Sequence, residues 1–245
     1  MIAFGLRSKG EARRRAYSVD GEPYYKSEWM ESERGVHPCP TIFLVEQPPN
    51  TLLAPHFHEE NQFQVFVEGS GSIGPHPIVP VMVHYAGAYT GYGPVMSGPN
   101  GLKYFTIRPE FDAGHLPIAD ARGLNPRGPK VHAQGYVPGG VAIQDKIGHD
   151  LALFPPPTAG VHANAIWLPA MATEFFDAPP RNGGGMFYFV VEGSVQSGST
   201  ILDRWECVFT DEPIELIAGL HGALLLALGT AARDSQYDGI RICSH

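Results

Sequence analysis

Cysteine is scarce. Cys39, Cys207 and Cys243 are the only three, far apart and in no CxxC pair. That argues against a disulfide framework and fits free thiols in a reducing compartment. Basic residues are few as well, 17 against 25 acidic ones, for a formal net charge of -8. An acidic chain of this kind argues against nucleic acid as a partner, since phosphate backbones are held by basic patches. The one basic cluster, Arg13-Arg14-Arg15 with Arg7 and Lys9 nearby, reads as a solvated arm. Long apolar runs are missing too. Met1 to Arg7 has no apolar stretch or cleavage site, and Ala223 to Leu228 is too short to span a bilayer. A soluble, cytoplasmic protein with no membrane partner is expected. No stretch carries a sustained 3.6-residue apolar period, so helices should be few.

What the chain has in abundance is turn residues, 29 glycines and 23 prolines among 245 residues, with no collagen-like period. Many turns imply many short strands. Candidate strands are Pro40 to Glu46, Gln62 to Glu68, Val79 to Tyr85, Lys103 to Arg108, Val161 to Leu168, Met186 to Glu192 and Ser199 to Trp205. Two of them head a repeat. Phe63 to Ser70 reads FQVFVEGS and Phe187 to Ser194 reads FYFVVEGS, an offset of 124 residues. Ser97 to Gly101 (SGPNG) and Ala218 to Gly222 (AGLHG) follow at an offset of 121, each before an apolar stretch. Two landmarks in one order at nearly one offset argue for two copies of one domain. Both EGS endings are expected to be turns.

His56-Phe57-His58 is the most informative triplet. In an extended strand residues i and i+2 share a side, so both imidazoles can converge on one cation. Gln62 lies four residues on, at the start of the next strand, where its amide oxygen could be a third donor. Gln64 would stand behind it on the same face.

Here the chain resembles the cupin superfamily, whose first motif has the form H-x-H-x3-E-x6-G. This chain reads His56-x-His58-x3-Gln62-x6-Gly69, with Gln in place of Glu. Together with the repeat, the resemblance implies an all-β fold of two tandem cupin jelly-roll barrels. The expected layout is an N-terminal arm 1–35, a first barrel 36–118, a Gly/Pro-rich connection 119–150, a second barrel 151–235 and a tail 236–245. A strand is expected in the connection near Lys130 to Tyr136. The resemblance also implies one divalent metal ion (Fe, Mn, Ni, Zn or Cu) on His56, His58 and Gln62. The second motif should supply another histidine between Gly87 and Gly101, but Tyr92 to Gly101 contains none. His84 and His76 lie off that spacing. Counting back from Gly193 by the same intervals gives Pro180, Asn182 and Met186, which make no metal triad. The second copy is expected to be structural or to close a homodimer.

Two functional readings follow. One is a metal-dependent enzyme acting on a small organic molecule, dioxygenase-, lyase- or isomerase-like, with no catalytic residue assigned. The other is a non-catalytic small-molecule-binding cupin that has lost its metal. A metal-free epimerase would need a His base and a Tyr acid, for which His58 and Tyr92 are on hand. Arg108, at a strand end before Pro109, reads as a surface arginine, with a carboxylate clamp as the sharper reading. Glu59-Glu60 reads as a solvated turn. The remaining histidines (His37, His84, His115, His132, His149, His162, His245) read as surface or satisfied positions. Gly69-Ser-Gly-Ser-Ile-Gly74 spells G-x-G-x-x-G, but Pro75-His-Pro77 follows it where a dinucleotide site needs a helix.

Overall fold

A computed structural model describes residues 1–19, 21–32, 35, 37–119, 121, 123–139, 149–155, 160–180 and 183–242. Cys243, His245 and Asn182 lie outside the described residues. The fold is all-β. Short strands with β-branched and aromatic residues alternate with Gly/Pro turns, and the described helical segments are Arg7–Ala12 and a single turn at Ser235–Tyr237. No described helix is long and apolar enough to cross a membrane.

The chain forms two compact units. The first comprises Gly10–Tyr136 and Arg233–His245. Its main antiparallel sheet runs, neighbour to neighbour, through His132–Tyr136, Met82–Ala86, Gln62–Ile73, Val95–Arg108, Thr41–Gln47, Glu22–Glu31 and Arg15–Val19. A small ladder pairs His56–Phe57 with Leu116–Pro117. The second unit comprises Met1–Lys9 and Val137–Ala232. Its sheet runs through Ile2–Gly5, Cys207–Thr210, Gly183–Ser197, Ile214–Ala231, His162–Leu168 and Asp150–Ala152. Residues 1–35 thus contribute strands to both sheets, and 119–150 contributes His132–Tyr136 to the first.

Alternation decides what each strand buries. In the second unit Tyr188, Val190, Val208, Leu216 and Leu225 meet in one apolar core. In the first, Phe66, Ile73, Met82, Val95 and Leu102 do the same. Cys39 and Cys207 are buried free thiols. The basic arm is exposed and paired, Arg13 with Glu31 and Arg14 with Glu46.

The repeat has a physical basis. In each unit its two landmarks meet across neighbouring strands: Gly69 pairs with Leu102, and Gly193 with Ala223. Both glycines have positive φ, +88° and +73°. A β-carbon on Gly69 would overlap the carbonyl oxygen of Gly101, and one on Gly193 that of Gly222. The expected turns at these glycines are corrected. The strands continue through them, to Ile73 and to Ser197, with register shifts beside them. The glycines form irregularities inside long bent strands, not strand ends.

Candidate functional site

Five segments of the first unit bring polar side chains to one cavity of about 160 Å³, lined by His56, His58, Gln64, Tyr92, Arg108 and Asp112, with Gln62 hydrogen-bonded behind them. His56 and His58 come from the short strand at 56–57 and the residue after it. Gln62 and Gln64 open the next long strand, Tyr92 precedes Val95–Arg108, and Arg108 ends it. Asp112 follows in the loop beyond. His56, His58, Gln62, Gln64, Tyr92, Arg108 and Asp112 are all buried.

The hydrogen bonds assign most protons. His56 Nδ1 donates to the Ala54 carbonyl at 2.7 Å, which leaves Nε2 to accept from the Tyr92 hydroxyl at 2.8 Å. His58 Nδ1 faces two acceptors, Asp112 Oδ1 at 2.9 Å and the Gly114 carbonyl at 3.1 Å, so Nδ1 carries the proton. Asp112 also accepts the backbone N–H groups of Glu59, Glu60 and Gly114. The Tyr92 oxygen accepts from Gln62 Nε2 at 2.6 Å and Gln64 Nε2 at 3.3 Å. Gln64 is oriented in turn by His84, whose Nδ1 donates to its Oε1 at 2.9 Å.

Arg108 stands at the centre. Its Nε and Nη2 donate to Gln62 Oε1 at 3.0 and 2.9 Å. Nη2 lies 3.0 and 3.3 Å from the two nitrogens of the His58 ring. Nη1 is 3.4 Å from Asp112 Oδ1. The expectation of a surface arginine is therefore corrected. Its neighbours supply an acceptor and a counter-ion, so the guanidinium can be buried at the strand end. The solvated reading of Glu59-Glu60 is corrected too. Both are buried under residues 233–242: Arg233 and Arg241 pair with Glu60 at 3.4 and 2.8 Å, and the Ile242 N–H donates to Glu59.

Burial sets the protonation states. It pushes His56 down to about 3, with the neighbouring His58 adding to the shift. His84 falls to about 3 by burial and the nearby His132. His58 is lowered by burial and Arg108. Burial alone would raise Asp112, but Arg108 and His58 outweigh it and hold the carboxyl below its usual range. Burial holds the Tyr92 phenol above its usual range, so it stays protonated and donates. Histidines that are neutral in the fold but protonate when unfolded lose stability on acidification. Stability is present above the unfolded value of about 6.5 and is lost as pH falls toward 3. Two such groups, His56 and His84, imply a slope on the order of 2–3 kcal/mol per pH unit near pH 5. Glu60, which burial raises to about 7, acts with the opposite sign and reduces the net slope, so urea midpoints between pH 7 and 4.5 are compared in the wild type and in His84→Gln, whose profile should be the flatter.

The three residues expected to bind metal are thus gathered around Tyr92. Among the described residues no group of three or more His, Cys, Asp or Glu is arranged to hold a metal ion. Sequence reasoning missed the roles of Arg108 and Asp112. A trace of them was present. Tyr104, Thr106 and Arg108 alternate, so one face of that strand carries polar groups where an apolar core would be ordinary.

No protein-family model and no curated protein sequence matches the chain. Solved structures do. Pirin YhhW from Escherichia coli, in complex with nickel(II), superimposes with a TM-score of 0.56 at 12% identity, covering 95% of this chain and 100% of that one. An oxalate decarboxylase–formate complex from Lactobacillus farciminis gives 0.58 at 10% identity, covering 91% and 85%. An 11S globulin from Wrightia tinctoria, described with an auxin binding site, gives 0.60 at 12% identity, covering 90% and 84%. At such identities the likeness is one of fold. The chain has the all-β fold of these cupin structures.

Proposed function

We propose that the first unit is a small-molecule binding site that works without a resident metal. The observation that carries this reading is Arg108. Its buried guanidinium already holds the oxygen of Gln62 and lies against His58, two of the three donors a metal would need. A divalent ion and a guanidinium about 4 Å apart repel by about 8 kcal/mol at an effective dielectric of about 20. Asp112 offsets part of such a repulsion, but its oxygens are committed to Arg108, His58 and three backbone N–H groups. The donor set that remains, two neutral imidazoles, does not fit a divalent ion held for function.

In place of a metal the site offers fixed dipoles. Asp112 holds His58 in one tautomer, and the two glutamines hold the Tyr92 hydroxyl against His56. Such a frame orients a small ligand and excludes water from it.

One observation favours a second reading. Both imidazoles place their proton on Nδ1, which leaves Nε2 as the nitrogen a metal would use. If Arg108 swings away, His56, His58 and Gln62 become the ligands of a metal-dependent enzyme. Elemental analysis of protein purified without chelator, before and after incubation with nickel, zinc, manganese, iron or copper salts, decides between them. Well under one ion per chain, and no rise in melting temperature with any salt, is expected. Stoichiometric metal that is lost in His56→Ala would establish the second reading. A homodimer through the second unit remains part of the proposal, and sedimentation velocity tests it.

A further inference from the structure

We infer that the ligand of this cavity is a small organic carboxylate with an apolar body, an assignment that rests on the metal-independent reading above. Tyr104, Thr106 and Arg108 lie at i, i+2 and i+4 on one face of the strand Val95–Arg108 and line the cavity together. Tyr104 and Thr106 are each 3% exposed, and both carry a hydroxyl on the face that lines the cavity. Arg108 Nη1 carries two N–H groups and has only the 3.4 Å ion contact with Asp112. Donors gathered on one strand face beside a cavity can be met by the acceptors of a ligand.

The acceptors give the complementary half. Asp112 and Gln62 Oε1 already receive protein N–H groups, and His56 Nε2 already receives the Tyr92 proton. The cavity therefore has donors to spare and few free acceptors. A polyol brings a donor with every acceptor and would leave its own hydroxyl protons unmatched. A carboxylate brings acceptors only and suits the wall.

Charge points the same way. Lys26 lines the cavity with Arg108, and the two cations face one ring, Phe43, at 3.9 Å and 5.3 Å from its centroid. Lys26 is paired with Glu28 at 2.6 Å, but both are about a quarter exposed, so that pair is weak and exchangeable. Beyond the cations, Tyr24, Val45 and Leu53 provide an apolar wall. The volume of about 160 Å³ falls below the roughly 300–1,000 Å³ of pockets for drug-sized ligands, which limits the body to about one ring.

The test is calorimetric titration of the full chain with benzoate, phenylacetate and cyclohexanecarboxylate, each beside its neutral amide, with and without EDTA. At least one acid is expected to bind about ten-fold or more tighter than its amide, with or without EDTA. Lys26→Met, on a partly exposed side chain, should fold normally and lose most of that preference. Amides that bind as well as the acids, or a panel in which no acid binds, would overturn the carboxylate assignment and leave the metal-independent reading standing. Acids that bind only after a metal salt is added, with EDTA reversing it, would overturn the metal-independent reading itself.

Discussion

Asp112→Ala is expected to destabilise the first unit by about 3–5 kcal/mol, a large fraction of the total for any domain. The carboxylate side chain is fully buried, with 0% of its surface accessible. Its removal leaves the Arg108 cation without its counter-ion, His58 Nδ1 with only the Gly114 carbonyl as acceptor, and the N–H groups of Glu59, Glu60 and Gly114 without the carboxylate that accepts them. Each loss alone costs on the order of 1 kcal/mol or more, and here they fall on groups that share one counter-ion. Asp112→Asn should recover only part of the loss. One amide oxygen cannot serve both the guanidinium and the backbone donors, and the new NH2 group would face donors. Urea unfolding at pH 7 measures both variants. Losses below about 1 kcal/mol for the alanine would mean that the pocket relaxes and that Arg108 finds another counter-ion. His58 supplies a second readout, because the loss of one of its two Nδ1 acceptors should shift its ring nitrogens in the nitrogen-15 spectrum of the alanine variant.

Gly69→Ala and Gly193→Ala are expected to cost about 2–4 kcal/mol each, or roughly 5–15 °C in melting temperature. Positive φ penalises the alanine, and the added carbon meets the carbonyl oxygen of Gly101 or Gly222, which is backbone and cannot rotate away. The two substitutions are equivalent by the repeat, so each should lower the stability of its own unit. Gly198→Ala is a useful control. Its φ is also positive, at +57°, but nothing lies within 4 Å of the added carbon, so it should show the backbone strain alone. Differential scanning calorimetry of the three variants separates the contributions. If Gly69→Ala behaves like Gly198→Ala, the close approach to Gly101 is not rigid.

Much of this architecture was legible in the chain. The strand expectations at 40–46, 62–68, 103–108 and 161–168 correspond to strands because local alternation and β-branched residues favour strands that pair within a sheet. The repeat was legible because close backbone approach tolerates only glycine, so the same letters recur where the same strands meet. His56, His58 and Gln62 were legible because a two-residue period puts them on one side. Arg108 and Asp112 were not. Their partners lie about 50 residues earlier in the chain, and an arginine before a proline at a strand end has the same local appearance whether buried or exposed. Burial of such a residue is decided by what closes over it. Glu59 and Glu60 fail for the same reason: their cover comes from residues 233–242, more than 170 positions away.

That distant cover has a consequence for synthesis. Residues 233–242 complete the first unit, yet they follow the whole of the second in the chain. Ile2–Gly5, in turn, emerge first and wait for Cys207–Thr210 before they can pair. At roughly 5–20 residues per second, the loop holding Glu59 and Glu60 stays uncovered on the ribosome for on the order of ten seconds or more. During that time two buried acids are open to water and the Arg108 pocket lacks the strap over its neighbouring loop. Nascent chains stalled before residue 233 should therefore be cut readily around residues 59–61, and released full-length chains should not.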